Sequence, residues 1–182
     1  MTAGTKQDAI IDAYVALLAE HGAREATIDA TARRSGLSKA GLLHYFPSRQ
    51  ALDTELVQRL RVLIETDVAA MASDPDQAVR YYLASSLEEN SQLERMVVAA
   101  TRLAQRGHEE AGQVLRFGRD EWFSVLLDSL GDPALAKLAL LAGDGLSYHL
   151  DIGRQGGDGF IDETTLDQMV RLVSQCRERA RR

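Results

Sequence analysis

The chain has 182 residues, a formal net charge of −6, 45% hydrophobic residues and only 3 prolines, which excludes a disordered protein and favours a globular one. Cys176 is its single cysteine, so an internal disulfide is excluded and a reducing compartment is expected. No apolar run approaches the roughly 20 residues that span a bilayer, and the first residues lack a signal-peptide pattern. We therefore expect a soluble cytoplasmic protein without membrane contact.

The acidic balance is uneven along the chain. Residues 1–62 carry 8 basic and 7 acidic side chains, whereas residues 63–182 carry 13 and 20. Within residues 24–49 there are 5 basic side chains and 2 acidic ones. This local excess suits phosphate contacts, while an acidic remainder limits non-specific binding. The net charge therefore does not exclude a nucleic-acid partner.

Three short helices are predicted first. Apolar residues at helical spacing indicate a helix over residues 5–21, and Gly22 stands where a C-terminal glycine cap belongs. Thr27 is expected to cap a second helix, which ends at Gly36. Ser38 is expected to cap a short third helix of about seven residues.

Six further helices follow, and no strand pattern is visible. Ser48 is the expected cap of a long fourth helix, and the Asp-Pro pairs at 74–75 and 132–133 predict the starts of the fifth and eighth helices. A glycine-rich loop over residues 153–159 precedes a last helix that Asp162 caps. The approximate predicted ranges are 49–71, 75–89, 91–106, 109–130, 133–152 and 163 onward. The expected fold class is all-α, with about nine helices.

The stretch over residues 27–52 is typical of a helix-turn-helix. Ala32 supplies the small residue where two helices cross, and Gly36 suits a turn that requires positive φ. Leu42 would pack back onto the second helix, which leaves the opposite face of the third helix free to enter a DNA major groove. The residues expected on the buried side are Ile28, Ala32, Leu37, Leu42 and Phe46.

This stretch resembles the N-terminal domain of the tetracycline-repressor (TetR) family of regulators. The resemblance covers about residues 6–56, roughly a third of the chain, and the remainder is similar only in length and helical pattern. The positions that carry it are Gly22, Ala26, Thr27, Ile28, Ala32, Ser35, Gly36, Leu37, Ser38, Lys39, Leu42, His44, Tyr45, Phe46, Pro47, Ser48, Arg49, Ala51 and Leu52.

The resemblance implies a helix-turn-helix DNA-binding domain at residues 1–48 and a helical ligand-binding and dimerisation domain at residues 49–182. It implies a homodimeric transcription factor, most often a repressor, that binds a pseudo-palindromic double-stranded DNA operator and is released by a small organic effector. Neither catalysis nor a cofactor is expected.

The third helix would expose its DNA-reading side chains if Leu42 faces inward. Lys39 and His44 suit base edges or phosphates, although plain surface exposure is the alternative for each. Gly41 costs about 1 kcal/mol inside a helix, and is either tolerated or lets the backbone approach the groove. Many family members carry Tyr where this chain has Leu43, so a phosphate contact is either missing or replaced by an apolar contact, for instance with a thymine methyl. The full exposed set is Lys39, Ala40, Gly41, Leu43 and His44.

Further DNA contacts are implied by the resemblance at Thr27, Ser38, Tyr45 and Arg49, which match family positions that contact phosphates. For Thr27 and Ser38 the alternative is an ordinary helix cap, and for Tyr45 a half-buried hydrophobic position.

An effector pocket among helices four to seven follows only if the family plan applies. Its candidate residues are mostly apolar and favour an uncharged or modestly polar organic ligand, with ordinary core packing as the alternative. Arg116 and His108 would suit an anionic ligand, with plain exposure as the alternative. The candidates are Leu63, Asp67, Met71, Tyr82, Leu87, Met96, Val97, Thr101, Phe117, Glu121, Trp122 and Tyr148.

The last two helices each carry an apolar stripe that faces either a second copy of the chain or its own core. A two-fold interface is favoured because a helix-turn-helix reads paired half-sites, about 34–36 Å apart or a multiple of that. The candidates are Leu135, Leu138, Ala139, Ala142, Gly143, Leu146 and Leu150 on the eighth helix, and Leu166, Met169, Val170, Leu172 and Val173 on the ninth.

Two other classes of protein remain as alternatives. A metal-binding bundle or enzyme is disfavoured because no Glu-x-x-His pair, zinc-type spacing or phosphate loop is present, and Asp144, Tyr148 and His149 alone are weak evidence of catalysis. The other alternative is a ligand-binding module that has lost specific DNA binding. Salt-sensitive operator binding would distinguish the DNA-binding regulator from such a module.

Overall fold

The computed structural model describes residues 5–88, 91–153 and 159–180. Within these ranges the chain forms nine α-helices and no strand, which confirms the predicted all-α class. The helices are α1 (Lys6–His21), α2 (Ile28–Arg34), α3 (Lys39–Tyr45), α4 (Arg49–Ala72), α5 (Ala78–Ser85), α6 (Gln92–Ala104), α7 (Glu109–Leu130), α8 (Pro133–Gly153) and α9 (Thr165–Ala180).

Local side-chain caps explain why the first helices begin where they do. Thr27 Oγ1 accepts a hydrogen bond from the Ala30 amide at 3.1 Å, and Ser38 Oγ accepts one from the Gly41 amide at 3.1 Å. Each bond satisfies a backbone N–H that lacks a partner within its helix. Ser48 caps α4 in the same way, with 3.1 Å to the Ala51 amide. All three predicted caps are confirmed.

The two Asp-Pro pairs have different structures. Asp132 Oδ1 accepts from the amides of Ala134 and Leu135 at 2.8 and 2.9 Å, so α8 opens at Pro133 as predicted. At the first pair, Asp74 accepts from the Asp76 amide at 3.2 Å and forms a turn.

The predicted start of α5 at Pro75 is therefore wrong. Ser129 donates a hydrogen bond to the Pro75 carbonyl at 2.6 Å, and α5 begins only at Ala78. The helix ends at Ser85, four residues before the predicted end. The last helix also starts late: Asp162 accepts from the Thr164 amide at 2.9 Å in a turn, and α9 begins at Thr165. Of the predicted glycine-rich loop, residues 154–158 lie outside the described residues.

The helices divide into two compact units. The head unit comprises the described residues within Met1–Ile64 and Asn90–Gly118, and the body unit those within Glu65–Glu89 and Arg119–Arg182. In the head unit, α1 packs against α2 and α6, and α2 packs against α3. The head unit includes α6, which lies well beyond residue 48 in the sequence. This structural grouping therefore does not coincide with the predicted domain boundary at residue 48. The functional division at that residue stays a prediction.

The body unit has a core in which α5, α8 and α9 pack together. Much of the predicted dimer stripe lies in this core. Leu135, Leu146 and Val173 are 8%, 4% and 6% exposed, and Ala139 is fully buried. Four other members of the set are half-buried against the same core: Ala142, Leu166, Met169 and Val170.

Gly143 also faces inward, where a Cβ would overlap the Tyr82 ring and come within 2.8 Å of Ser86 Oγ. The buried members of the stripe thus face the core of their own chain, which was the alternative, and contact of the set with a second copy stays a prediction. Leu150 is half-buried. The large apolar side chains of α8 and α9 that are exposed are Leu138, Leu141, Tyr148 and Leu172.

Candidate nucleic-acid interface

The third helix is held on the second by a small apolar contact. Leu42 is fully buried, and Ala32 and Phe46 are 2% and 6% exposed. In the connecting turn Gly36 has φ +72°, and the Leu37 amide donates to the Ala32 carbonyl at 2.9 Å. Positive φ is a conformation that glycine adopts without strain. The predicted helix-turn-helix geometry is confirmed, although Ile28 and Leu37 are only half-buried.

The opposite face of α3 presents the predicted DNA-reading side chains. Lys39, Ala40 and His44 are exposed, whereas Gly41 and Leu43 are half-buried. A Cβ at Gly41 would lie 3.2 Å from Ser38 Oγ, so the missing side chain also leaves room for the cap. Contact of these residues with DNA stays a prediction.

Tyr45 is half-buried at the end of α3, and its ring meets the His44 ring edge-on, with 5.3 Å between the centroids. Thr27 and Ser38 are exposed although their hydroxyls cap helices. A hydroxyl that accepts an amide hydrogen keeps its own O–H for a phosphate oxygen, so capping and phosphate contact are compatible.

Asp29 is a feature of this surface that sequence reasoning did not single out. Its Oδ2 lies 3.1 Å from Lys39 Nζ, and both side chains are more than half exposed. Asp29 stands in the first turn of α2, where a carboxylate is favoured by the helix dipole. The ion pair holds the Lys39 side chain of α3 towards α2 and neutralises part of the lysine's charge. A DNA phosphate or base must therefore compete with Asp29 for Lys39.

The two arginines of α2 are arranged differently. Arg34 holds Glu20 on α1 with two parallel hydrogen bonds of 2.6 Å each, and the pKa of Glu20 is lowered mainly by that contact. Arg33 is exposed, as is Arg24, and neither has an ion-pair partner within the described ranges. Arg24 and Arg33 therefore keep their full charge for phosphates.

Arg49 points into the head unit. Its Nη2 donates to the Ala23 carbonyl at 2.5 Å, and its Nε to the Tyr14 hydroxyl at 3.3 Å. Tyr14 is fully buried and donates to Asp53 Oδ1 at 2.5 Å. Burial and then the Asp53 carboxylate raise the pKa of Tyr14, so the phenol keeps its proton. The predicted phosphate contact of Arg49 stays a prediction, since the structure already gives its guanidinium two internal partners.

Several effector candidates of the body unit come together around one carboxylate. Asp67 accepts from Trp122 Nε1 at 2.8 Å and from the Tyr81 hydroxyl at 2.9 Å. The Tyr82 ring lies 6.2 Å from the Trp122 ring, and its hydroxyl donates to Asp144 at 3.2 Å. Tyr81 and Asp144 were absent from the candidate set, because their partners lie 14 and 62 positions away in the sequence.

The pKa values of both tyrosines respond to this environment. Burial and the Asp67 contact raise the pKa of Tyr81 to about 12. Burial and the charge of Asp144 raise the pKa of Tyr82 as well. Both phenols therefore remain neutral hydrogen-bond donors at physiological pH.

The remaining candidates are dispersed. In the body unit, Met71 is 1% exposed and Leu87 is half-buried, whereas Glu121 and Tyr148 are exposed and do not lie in the interior. In the head unit, Met96 is buried and the Arg61 guanidinium lies 3.9 Å from the centre of the Phe117 ring. Those of the head unit that are half-buried are Leu63, Val97, Thr101 and Phe117.

The three residues weighed as weak evidence of catalysis, Asp144, Tyr148 and His149, have other side-chain contacts in the structure. Tyr82 donates a hydrogen bond to Asp144. The Tyr148 and His149 rings meet edge-on with 5.2 Å between their centroids, and the Phe160 ring lies 4.7 Å from that of His149.

Among the residues that the structure describes, no helix combines the length and the apolar character needed to span a membrane.

A helix-turn-helix with an exposed third helix, in a chain without strands in the described ranges, is typical of DNA-binding regulators. Comparison with known proteins agrees. Residues 10–56 match the family model described as "Bacterial regulatory proteins, tetR family". The DNA-binding segment of this chain is therefore similar to that of the tetR family of bacterial regulatory proteins.

Solved structures support the fold over the whole chain. A TetR-like transcriptional regulator from Rhodococcus sp. is 20% identical, with a TM-score of 0.71 over 99% of this chain and 97% of that one. The TetR-family transcriptional regulator PfmR from Thermus thermophilus is 18% identical, with a TM-score of 0.65 over 94% and 96%. No curated protein matches the chain. At such identities the likeness shows the fold alone.

Proposed function

We propose that this protein is a cytoplasmic, ligand-responsive repressor that binds a pseudo-palindromic operator as a homodimer and leaves it when a small organic effector binds. The observation that carries the proposal is the exposed face of α3, held outward by the fully buried Leu42. Lys39 and His44 are the exposed polar side chains of that face. They are the residues we expect to read bases in the major groove.

The dimer is proposed to form through the exposed apolar side chains of the last two helices. Leu138, Leu141 and Tyr148 are 55%, 64% and 62% exposed on α8, and Leu172 is 58% exposed on α9. The first three recur at intervals of three and seven residues, which places them on one side of the helix. Burying such a stripe against its two-fold copy removes it from water and pairs two recognition helices.

The effector is proposed to bind in the body unit near the Asp67 network. Trp122 and Tyr82 offer aromatic surface, and Asp67 and Asp144 offer acceptors that now hold three side-chain donors. A ligand that exchanges hydrogen bonds with this network would favour one arrangement of the body helices over another. A 100-fold loss of operator affinity requires about 2.7 kcal/mol of coupling between the two sites.

Selection of bound duplexes from a random DNA pool at moderate salt tests the DNA-binding proposal. We expect an enriched inverted repeat, with binding weakened by K39A and H44A. Enrichment of no sequence, with only uniform salt-dependent binding, would show that the head does not read DNA specifically.

The selected operator then supports a screen for the effector. A genuine effector releases the wild-type protein from the duplex and raises its thermal stability. Its effect should weaken in W122F, which keeps an aromatic ring but loses the donor to Asp67. An effector that acts equally on W122F would place its site elsewhere.

A further inference from the structure

A cavity of about 300 Å³ lies in the head unit, where the start of α4 meets the turn between α6 and α7. Its polar lining is formed by Arg49, Asp53, Arg106 and His108. We propose that this cavity binds a small oxyanion that carries its own O–H group, such as hydrogen phosphate or a hydroxy acid. The site lies outside the DNA-reading face of α3 and the Asp67 network, and is therefore additional to the proposed function.

Three donors make the cavity suitable for an oxyanion. Arg106 has no ion-pair partner within the described part of the chain, so its guanidinium is available. Arg49 keeps N–H groups beyond those given to Ala23 and Tyr14. Guanidinium groups bind the oxygens of phosphate and carboxylate groups in pairs.

The third donor is His108, in which a neighbouring contact sets the tautomer of the neutral imidazole. His108 Nδ1 accepts a hydrogen bond from the Ala111 amide at 3.2 Å. A neutral imidazole that accepts at Nδ1 carries its proton on Nε2. That Nε2 lies 3.8 Å from Asp53 Oδ2, which is too long for a direct hydrogen bond. The Nε2 proton is therefore free for a ligand.

Asp53 decides which oxyanions are accepted. The residue is 7% exposed, and its Oδ1 accepts from Tyr14 at 2.5 Å. A bare anion placed beside this buried carboxylate would be repelled. An anion with its own O–H group instead donates to Oδ2, while its charged oxygens face Arg106 and His108. Asp53 thus selects hydrogen phosphate over sulfate, which has no proton to donate near neutral pH.

Occupation of the cavity would also influence DNA binding through Arg49. This residue is the first of α4 and holds the Ala23 carbonyl, between α1 and α2. A ligand that accepts hydrogen bonds from the same guanidinium would change how Arg49 holds the start of α4. Since coupling between two binding sites is reciprocal, operator binding should change oxyanion affinity by the same factor.

The test uses the full chain without DNA, at constant ionic strength. The imidazole proton resonances of the four histidines are followed by NMR during titration with inorganic phosphate and, separately, with sulfate, and H108Q assigns the His108 signal. We expect saturable shifts of the His108 signal with phosphate and at least tenfold weaker binding of sulfate. R106A should weaken phosphate binding at least tenfold, whereas R102A, which changes an exposed arginine in the last turn of α6, should not.

Equal effects of phosphate and sulfate, or equal titrations of R106A and R102A, would overturn the proposal. D53N provides a second check, because its amide also donates and should bring the affinities for the two anions close together. If D53N fails to fold, as circular dichroism would reveal, the two arginine variants decide the question. Since no DNA is present, failure here is distinct from failure of the operator proposal.

Discussion

Gly143 allows a quantitative test of how α8 packs in the body unit. A Cβ at this position would overlap the Tyr82 ring, with 3.0 Å to Cδ1, and lie 2.8 Å from Ser86 Oγ. Carbon atoms normally approach to about 3.5–4.0 Å, so G143A must displace Tyr82 or α8 itself. Tyr82 is 6% exposed and bonded to Asp144, which leaves it little freedom. Overpacking of this kind costs roughly 1–3 kcal/mol.

Gly145 is the matched control, since a Cβ there meets nothing within 4 Å. Both glycines lie in α8 without positive φ, so alanine contributes about 1 kcal/mol of helix propensity at either position. That contribution cancels between the variants. We expect G143A to be about 1–3 kcal/mol less stable than G145A.

The difference is measured by urea unfolding at equal protein concentration, because association shifts apparent stability. G145A should equal or exceed the wild type in stability. If G143A matches G145A, then Gly143 does not face Tyr82, and a dimer contact at this position becomes the better interpretation.

Three further predictions concern variants of the head unit. L42A removes a fully buried side chain and should cost roughly 2–5 kcal/mol in urea unfolding; a cost below about 1 kcal/mol would contradict the packing of α3 on α2. E20Q should lose roughly 0.5–1 kcal/mol at pH 7 by losing its ion pair with Arg34. Because the folded pKa of Glu20 lies below its usual 4.5, the pair stabilises the fold above that pH, and the difference from wild type should vanish as pH falls through the lowered pKa. D29N should free Lys39 and tighten operator binding several-fold in fluorescence anisotropy; weaker binding would mean that Asp29 is needed to orient the lysine.

Local chemistry made the head predictable from sequence. Thr27, Ser38 and Ser48 each cap a helix by binding the amide three residues further on. Gly36 adopts the positive φ that its turn requires. Each cap spans three positions, so the residue types suffice to place it. The same holds for α7, whose bounds at Glu109 and Leu130 match the prediction.

Interactions between distant segments were not predictable in this way. Asp74-Pro75 carries the same pair as Asp132-Pro133, yet Ser129 binds the Pro75 carbonyl from 54 positions away. The helix consequently starts later than its capping residue suggests.

The direction faced by α8 is a second such case. Leu135 and Gly143 formed a plausible dimer stripe, but a helix that is apolar around much of its surface does not reveal which side its neighbours cover. With α5 packed on α8, Leu138 and Leu141 are among the apolar side chains of α8 that stay exposed. Arg49 is the third case, since its partners Tyr14 and Ala23 lie 35 and 26 positions away.

The most direct test of the central claim, that α3 reads DNA sequence, compares affinities for the selected operator and for a scrambled duplex of equal length at one salt concentration. K39A is measured beside K137A, which removes an exposed lysine from α8. We expect K39A to lose at least tenfold in operator affinity and to lower the ratio between the two duplexes, while K137A leaves both unchanged. Equal binding of the two duplexes by the wild type, or equal behaviour of K39A and K137A, would contradict the assignment of α3 as the recognition helix.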